Sequence, residues 1–237
     1  MSEERLPFLS HLEELRARLL RCAIVVMVLF FAFYPWAPAI FKGLTSPIRH
    51  VLPKGETLIF TGIAEGFLTH FKVGFYSALL VATPYILFQI WQFVIPGLYD
   101  REKKYAVLFV APTLILFTGG ALFGFFVILP VVLPFFINSF ASEWIRPLPS
   151  IQDYLSFAIL MMLASGLAFE LPVFLVLLNK TGVLNRETLV KKRGYAIILI
   201  SIVAAVFTPP DVISMMCIAI PMVILYELSL FIMRFLQ

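Results

Sequence analysis

The chain has 237 residues, of which 61% are hydrophobic and only 14% charged, a balance that excludes an ordinary globular domain and makes lipid its main solvent. The net charge of +4 is not a nucleic-acid signal, because the basic residues sit beside the ends of apolar runs, where they report topology. Cys22 and Cys217 both fall inside such runs, where a thiol behaves as a small hydrophobe, so neither a disulfide framework nor a metal site follows.

In chain order, the first residues are polar and acidic and lack the basic-then-apolar pattern of a cleavable leader. From His11 to Leu20 an amphipathic lead-in places Leu12, Leu15 and Leu19 on one helical face, with Glu14 and Arg18 four apart on another. Either these two form an i,i+4 ion pair worth a few tenths of a kcal/mol, or Glu14 faces the bundle and receives a cation from a partner.

A hydrocarbon core about 30 Å thick asks for roughly 20 apolar residues per helix. Measured against it, spans are predicted at about 19–40, 73–95, 105–136, 154–178, 194–208 and 212–233. The second is interrupted by Pro84. The third is long enough to tilt, to kink at Pro112 or Pro130, or to run past the bilayer. The fifth, at about 15 residues and roughly 22 Å, is short of the core and implies locally thin membrane or cover from its neighbours. No repeat or linker divides the chain, so 1–237 is read as one transmembrane domain.

Arg5, Arg16, Arg18, Arg21, Arg101, Lys103, Lys104, Lys180, Arg186, Lys191, Lys192, Arg193 and Arg234 collect on one side of these spans, against five bases on the other. The positive-inside rule makes the first side cytoplasmic, with both termini there. The predicted fold is therefore all-α and polytopic.

The polar residues that break these patterns are the candidate sites. Asp100 and Glu102 stand in a short hairpin between spans two and three. Like Glu14, they are acids on an otherwise basic face, suited to take a guanidinium by forked, charge-assisted hydrogen bonds that lysine matches less well. Glu170 lies mid-span and costs several kcal/mol unless protonated, paired or hydrated, and Pro172 behind it predicts a bend. Gln89 and Gln92 either line the same polar notch or face other helices. Glu227 is read as interfacial. Gly120 and Gly124 permit a close helix contact. The histidines lack metal-ligand spacing, and no phosphate loop, nucleophile elbow or membrane aspartate pair is present, so no catalytic residues and no cofactor are predicted.

The ordered set His11-Leu-Glu-Glu-Leu-Arg16, Phe88-Gln-Ile-Trp-Gln-Phe93, Gly97-Leu-Tyr99 with Glu102, Phe169-Glu-Leu-Pro172, Lys191-Lys-Arg193 and Thr208-Pro-Pro-Asp211 resembles the TatC family across essentially the whole chain. TatC is the multispanning subunit of the twin-arginine protein translocase. The resemblance implies a cupped bundle of six transmembrane helices in a prokaryotic cytoplasmic membrane. It further implies a receptor for the twin-arginine signal peptides of folded cargo, working without cargo chemistry and driven by the proton-motive force.

Carried over by position, Glu14 and Glu102 are the signal-binding acids, with Arg16, Phe93 and Gln89 as neighbours. Glu170 is the buried polar residue that engages TatA- and TatB-type single-span subunits, and Pro47 and Asp211 are sensitive loop positions. The implied partners are those subunits, the signal peptides, the bilayer and further copies in a larger complex, with no nucleic acid. The alternative reading is a proton-coupled transporter of a small solute using Glu170.

Overall fold

A computed structural model describes residues 5–53, 55–94, 103–139, 147–180 and 182–236. Helix α1 (Arg5–Phe33) is 29 residues long, about 44 Å at 1.5 Å per residue, and so exceeds a hydrocarbon core. It ends at the 3-10 turn Tyr34–Trp36. Two short helices follow, α2 (Ala37–Leu44) and α3 (Ser46–Val51), each with a proline in its first turn, where the missing N–H breaks no intrahelical bond. Pro47 is one of these and is buried.

Helix α4 (Glu65–Val94) runs back along α1. Next come α5 (Lys103–Phe123), a π-helical segment Gly124–Ile128 and α6 (Leu129–Asn138). The third apolar run therefore departs from α geometry neither at Pro112, which α5 contains, nor at Pro130 itself. The departure falls in the turn before Pro130, whose ring would otherwise clash with the Phe126 carbonyl four residues back.

Helix α7 (Ile151–Phe169) and α8 (Leu171–Lys180) form the centre of the molecule. In an 18-residue apolar segment of their stretch 67% is buried, against 11% in that of residues 12–51. The core gathers on α7 around Leu155, Ala158, Met161 and Ala164, with Val132 of α6 and Met222 of the last helix. Small residues let α5 approach. A Cβ on Gly120 would lie 2.6 Å from the Ser165 carbonyl oxygen, one on Gly124 would lie 2.9 Å from that of Met161, and one on Gly166 would enter the Phe117 ring. The glycine pair read as merely permissive is thus the seam along which α5 and the π segment meet α7.

The chain closes with α9 (Arg186–Lys191), α10 (Arg193–Phe207) and α11 (Val212–Leu236). Among the described residues, five helical stretches are long and apolar enough to cross a bilayer, and α10 is a shorter apolar helix of 15 residues. All named elements among the described residues are helical.

At the end of the bundle away from the start of α1, the connections before α4 and α7 are stitched together. Ile59 and Ser150 form a parallel bridge. The buried Glu65 carboxylate accepts from the backbone of Thr61, from Gly62 N at 3.1 Å and from Gln152 N at 3.0 Å. The Tyr154 hydroxyl donates to the Leu44 carbonyl.

Candidate functional site

Two polar sites stand out, on opposite faces of α4. The first joins α1 to α4. Arg18 donates to Glu14 Oε1 from Nε at 3.0 Å and from Nη2 at 2.6 Å. Its Nη1 donates to Gln89 Oε1 and Gln92 Oε1, both at 2.9 Å, and Gln89 Nε2 donates to the Tyr85 hydroxyl at 2.7 Å. The i,i+4 ion pair is therefore present. It is also more than a surface pair, because two amides 71 and 74 positions away hold the guanidinium plane. The arginine side chain is 15% exposed and the glutamate 36%, so the acid presents the outer side of the cluster.

Of the other residues expected here, Arg16 is exposed and Phe93 half-buried. Gln89 is buried and meets Arg18. Asp100 and Glu102 lie outside the described residues. Gln92 and Arg18 carry as much of the geometry as Gln89. Their partnership joins chain segments too distant for any local pattern to reveal.

The second site centres on Glu170. Pro172 has no N–H for the Ala168 carbonyl, and the helix breaks here: Glu170 ends α7, its own N–H turning back to Leu167 O at 3.1 Å. The helix is thus interrupted at the place where Pro172 predicts a bend. The side chain is 7% exposed and neither carboxyl oxygen accepts a hydrogen bond within the described residues. The Thr113 hydroxyl and the Phe117 backbone face it from α5. Glu170 lines an almost wholly apolar cleft of about 560 Å³ with Leu87, Ile90, Leu167, Phe174 and Leu199. Leu87 and Ile90 belong to α4, two positions from Gln89 and Gln92. At 100° per residue those pairs point to opposite sides, so the glutamines face α1 and do not line the notch.

The loop positions have structural roles. Pro47 starts α3 in buried surroundings. Asp211 precedes α11 and its Oδ1 accepts from Ser214 N at 2.7 Å, the geometry of an N-cap. Glu227 bonds Arg193 at 2.8 Å with both side chains about half exposed, tying α11 to α10. No group of three or more potential metal ligands occurs among the described residues.

A family model described as Sec-independent protein translocase protein (TatC) matches residues 10–221. The chain belongs to the TatC family. Its TatC relative from Desulforapulum autotrophicum is 41% identical over 228 residues, covering 96% of this chain and 84% of that protein. The TatC of Escherichia coli K12 is 38% identical, with 98% and 90% covered. A crystal structure described as the twin arginine translocase receptor TatC superposes with a TM-score of 0.80 at 34% identity, covering 95% of this chain and 98% of that one. The chain is accordingly a multi-pass membrane protein of the twin-arginine translocation system with the TatC fold.

Proposed function

We propose that this TatC chain is the membrane receptor for signal peptides bearing paired arginines and the core on which TatA- and TatB-type subunits assemble. In this reading six spans cross a prokaryotic inner membrane with both termini cytoplasmic, and α10 is the short fifth span. Folded cargo moves without covalent change, and the proton-motive force supplies the energy.

The observation that carries the proposal is that the Glu14 carboxylate already accepts two N–H groups of a guanidinium, from Arg18. A site shaped for one arginine is chemically suited to another. Glu102, in the segment between α4 and α5, is the second acid of this proposal, with Asp100 two residues before it. Arg16 and Phe93 flank the site, and Glu170 in its apolar cleft is the seat of the single-span partners. Relatives named as protein translocase proteins favour this reading over a solute transporter.

The test is site-specific crosslinking of a twin-arginine signal peptide to the full-length protein in membranes. Glu14→Ala and Glu102→Ala are each expected to cut crosslinking about tenfold or more, the loss of a charge-assisted hydrogen bond or two. Changing the signal's Arg-Arg to Lys-Lys should do the same. Undiminished crosslinking in both variants would sink the assignment.

A further inference from the structure

The receptor reading uses Glu14 and leaves unexplained why a resident arginine already fills its carboxylate. Arg18 commits four N–H groups: two to Glu14 Oε1 and two, both on Nη1, to Gln89 and Gln92. A guanidinium arriving from outside makes its parallel pair of hydrogen bonds only with both carboxylate oxygens. Oε1 is taken twice over. The Nη1 bonds are made to α4 and do not depend on Glu14, so Arg18 can release the acid while α4 keeps hold of it.

We propose that Arg18 is a built-in competitor for the signal arginine, occupying the Glu14 seat at rest and setting a threshold that a guanidinium crosses and an ammonium does not. This rests on the receptor reading above. An arriving arginine replaces the two charge-assisted bonds that Glu14 gives up with two of the same kind. An arriving lysine offers a point charge without the fork, does not restore them, and meets Arg18 as an unreleased like charge. Discrimination then comes from the difference between the two exchanges, with the resident arginine as the element that penalises the wrong ligand. Gln89 and Gln92 act through Arg18 as positioning residues: they keep it close enough to compete and to return when the signal leaves.

The experiment measures binding of Arg-Arg and Lys-Lys signal peptides on folded cargo, by crosslinking to the full-length protein in membranes, for the parent and for Arg18→Gln, Arg18→Lys and Gln92→Leu. Arg18→Gln is expected to raise Lys-Lys binding so that the Arg-Arg to Lys-Lys ratio narrows about tenfold, one charge-assisted hydrogen bond's worth. Arg18→Lys and Gln92→Leu should narrow it less and in the same direction. These two variants carry the test if Arg18→Gln fails to accumulate.

A ratio that stays constant while Arg-Arg binding persists would overturn the proposal. So would an equal fall for both signals, the result if Arg18 only orients Glu14. Glu14→Gln in the same assay separates the two levels. If it leaves Arg-Arg binding intact, the role of Glu14 in the receptor reading fails and the competitor with it; if it abolishes binding and the Arg18 variants leave the ratio unchanged, only the competitor fails.

Discussion

At the scale of single residues, both sites were visible as polar residues out of place, and their partners from other helices were not. Spacing alone predicts the Glu14–Arg18 pair, because residues four apart share a helix face. That Arg18 also meets Gln89 and Gln92 depends on how α1 lies against α4. Glu170 was legible as a mid-span acid, and Pro172 announced the break beside it. What the fold adds is its burial: neither oxygen is in hydrogen-bonding geometry with a described residue, although the Thr113 hydroxyl and the Phe117 backbone face it. A buried carboxyl in that condition destabilises. Glu170→Leu, of similar volume, is therefore expected to stabilise the protein by about 1–3 kcal/mol, read as a higher thermal unfolding midpoint in detergent. If Glu170 is the partner seat, the same variant should lose crosslinking of single-span subunits from the cleft-lip position Leu167. A lowered midpoint would mean that the carboxyl is bonded.

At the scale of elements, proline and glycine did the punctuating, by different routes. Prolines acted locally: Pro47 lies in the first turn of a short helix, Pro172 follows the break between α7 and α8, and Pro130 follows the π segment by two residues. Glycines acted through their neighbours, so their importance could not be ranked from the chain. Gly119 and Gly120 are adjacent, yet a Cβ on Gly119 meets nothing within 4 Å while one on Gly120 strikes the backbone of α7. Gly120→Val should accordingly cost about 1–3 kcal/mol or more through overpacking of the α5–α7 seam. Gly119→Ala should be neutral or stabilising by a few tenths of a kcal/mol through helix propensity. Resistance to limited proteolysis of the two variants in detergent checks the contrast, and equal behaviour would mean that Gly120 is not at a close helix contact. Glu65 was missed for a related reason. A lone acid before an apolar run looks like a solvated end, and only the approach of α7 turns it into a buried acceptor for Gln152.

At the scale of the whole molecule, the proposed orientation makes a direct prediction. In a background with Cys22 and Cys217 replaced by serine, a cysteine at Thr57 should react with a membrane-impermeant thiol reagent added outside intact spheroplasts. A cysteine at Val183 should react only after permeabilisation. Both positions are exposed in the fold, so the reversed pattern would overturn the assignment of the basic face to the cytoplasm.

The membrane environment, the helical class and the shortness of the fifth apolar run were determined by the sequence alone. Bilayer thickness and helical rise convert a count of apolar residues directly into a length, and basic residues bias orientation through their placement in the chain. Which polar residues meet was decided only by the tertiary structure. Packing α1 against one face of α4 brings Arg18 to two distant amides, and the other face, with α7 and α8, encloses Glu170. A hydrogen bond spanning 71 positions leaves no periodic trace, because its geometry belongs to the contact between helices and not to either helix.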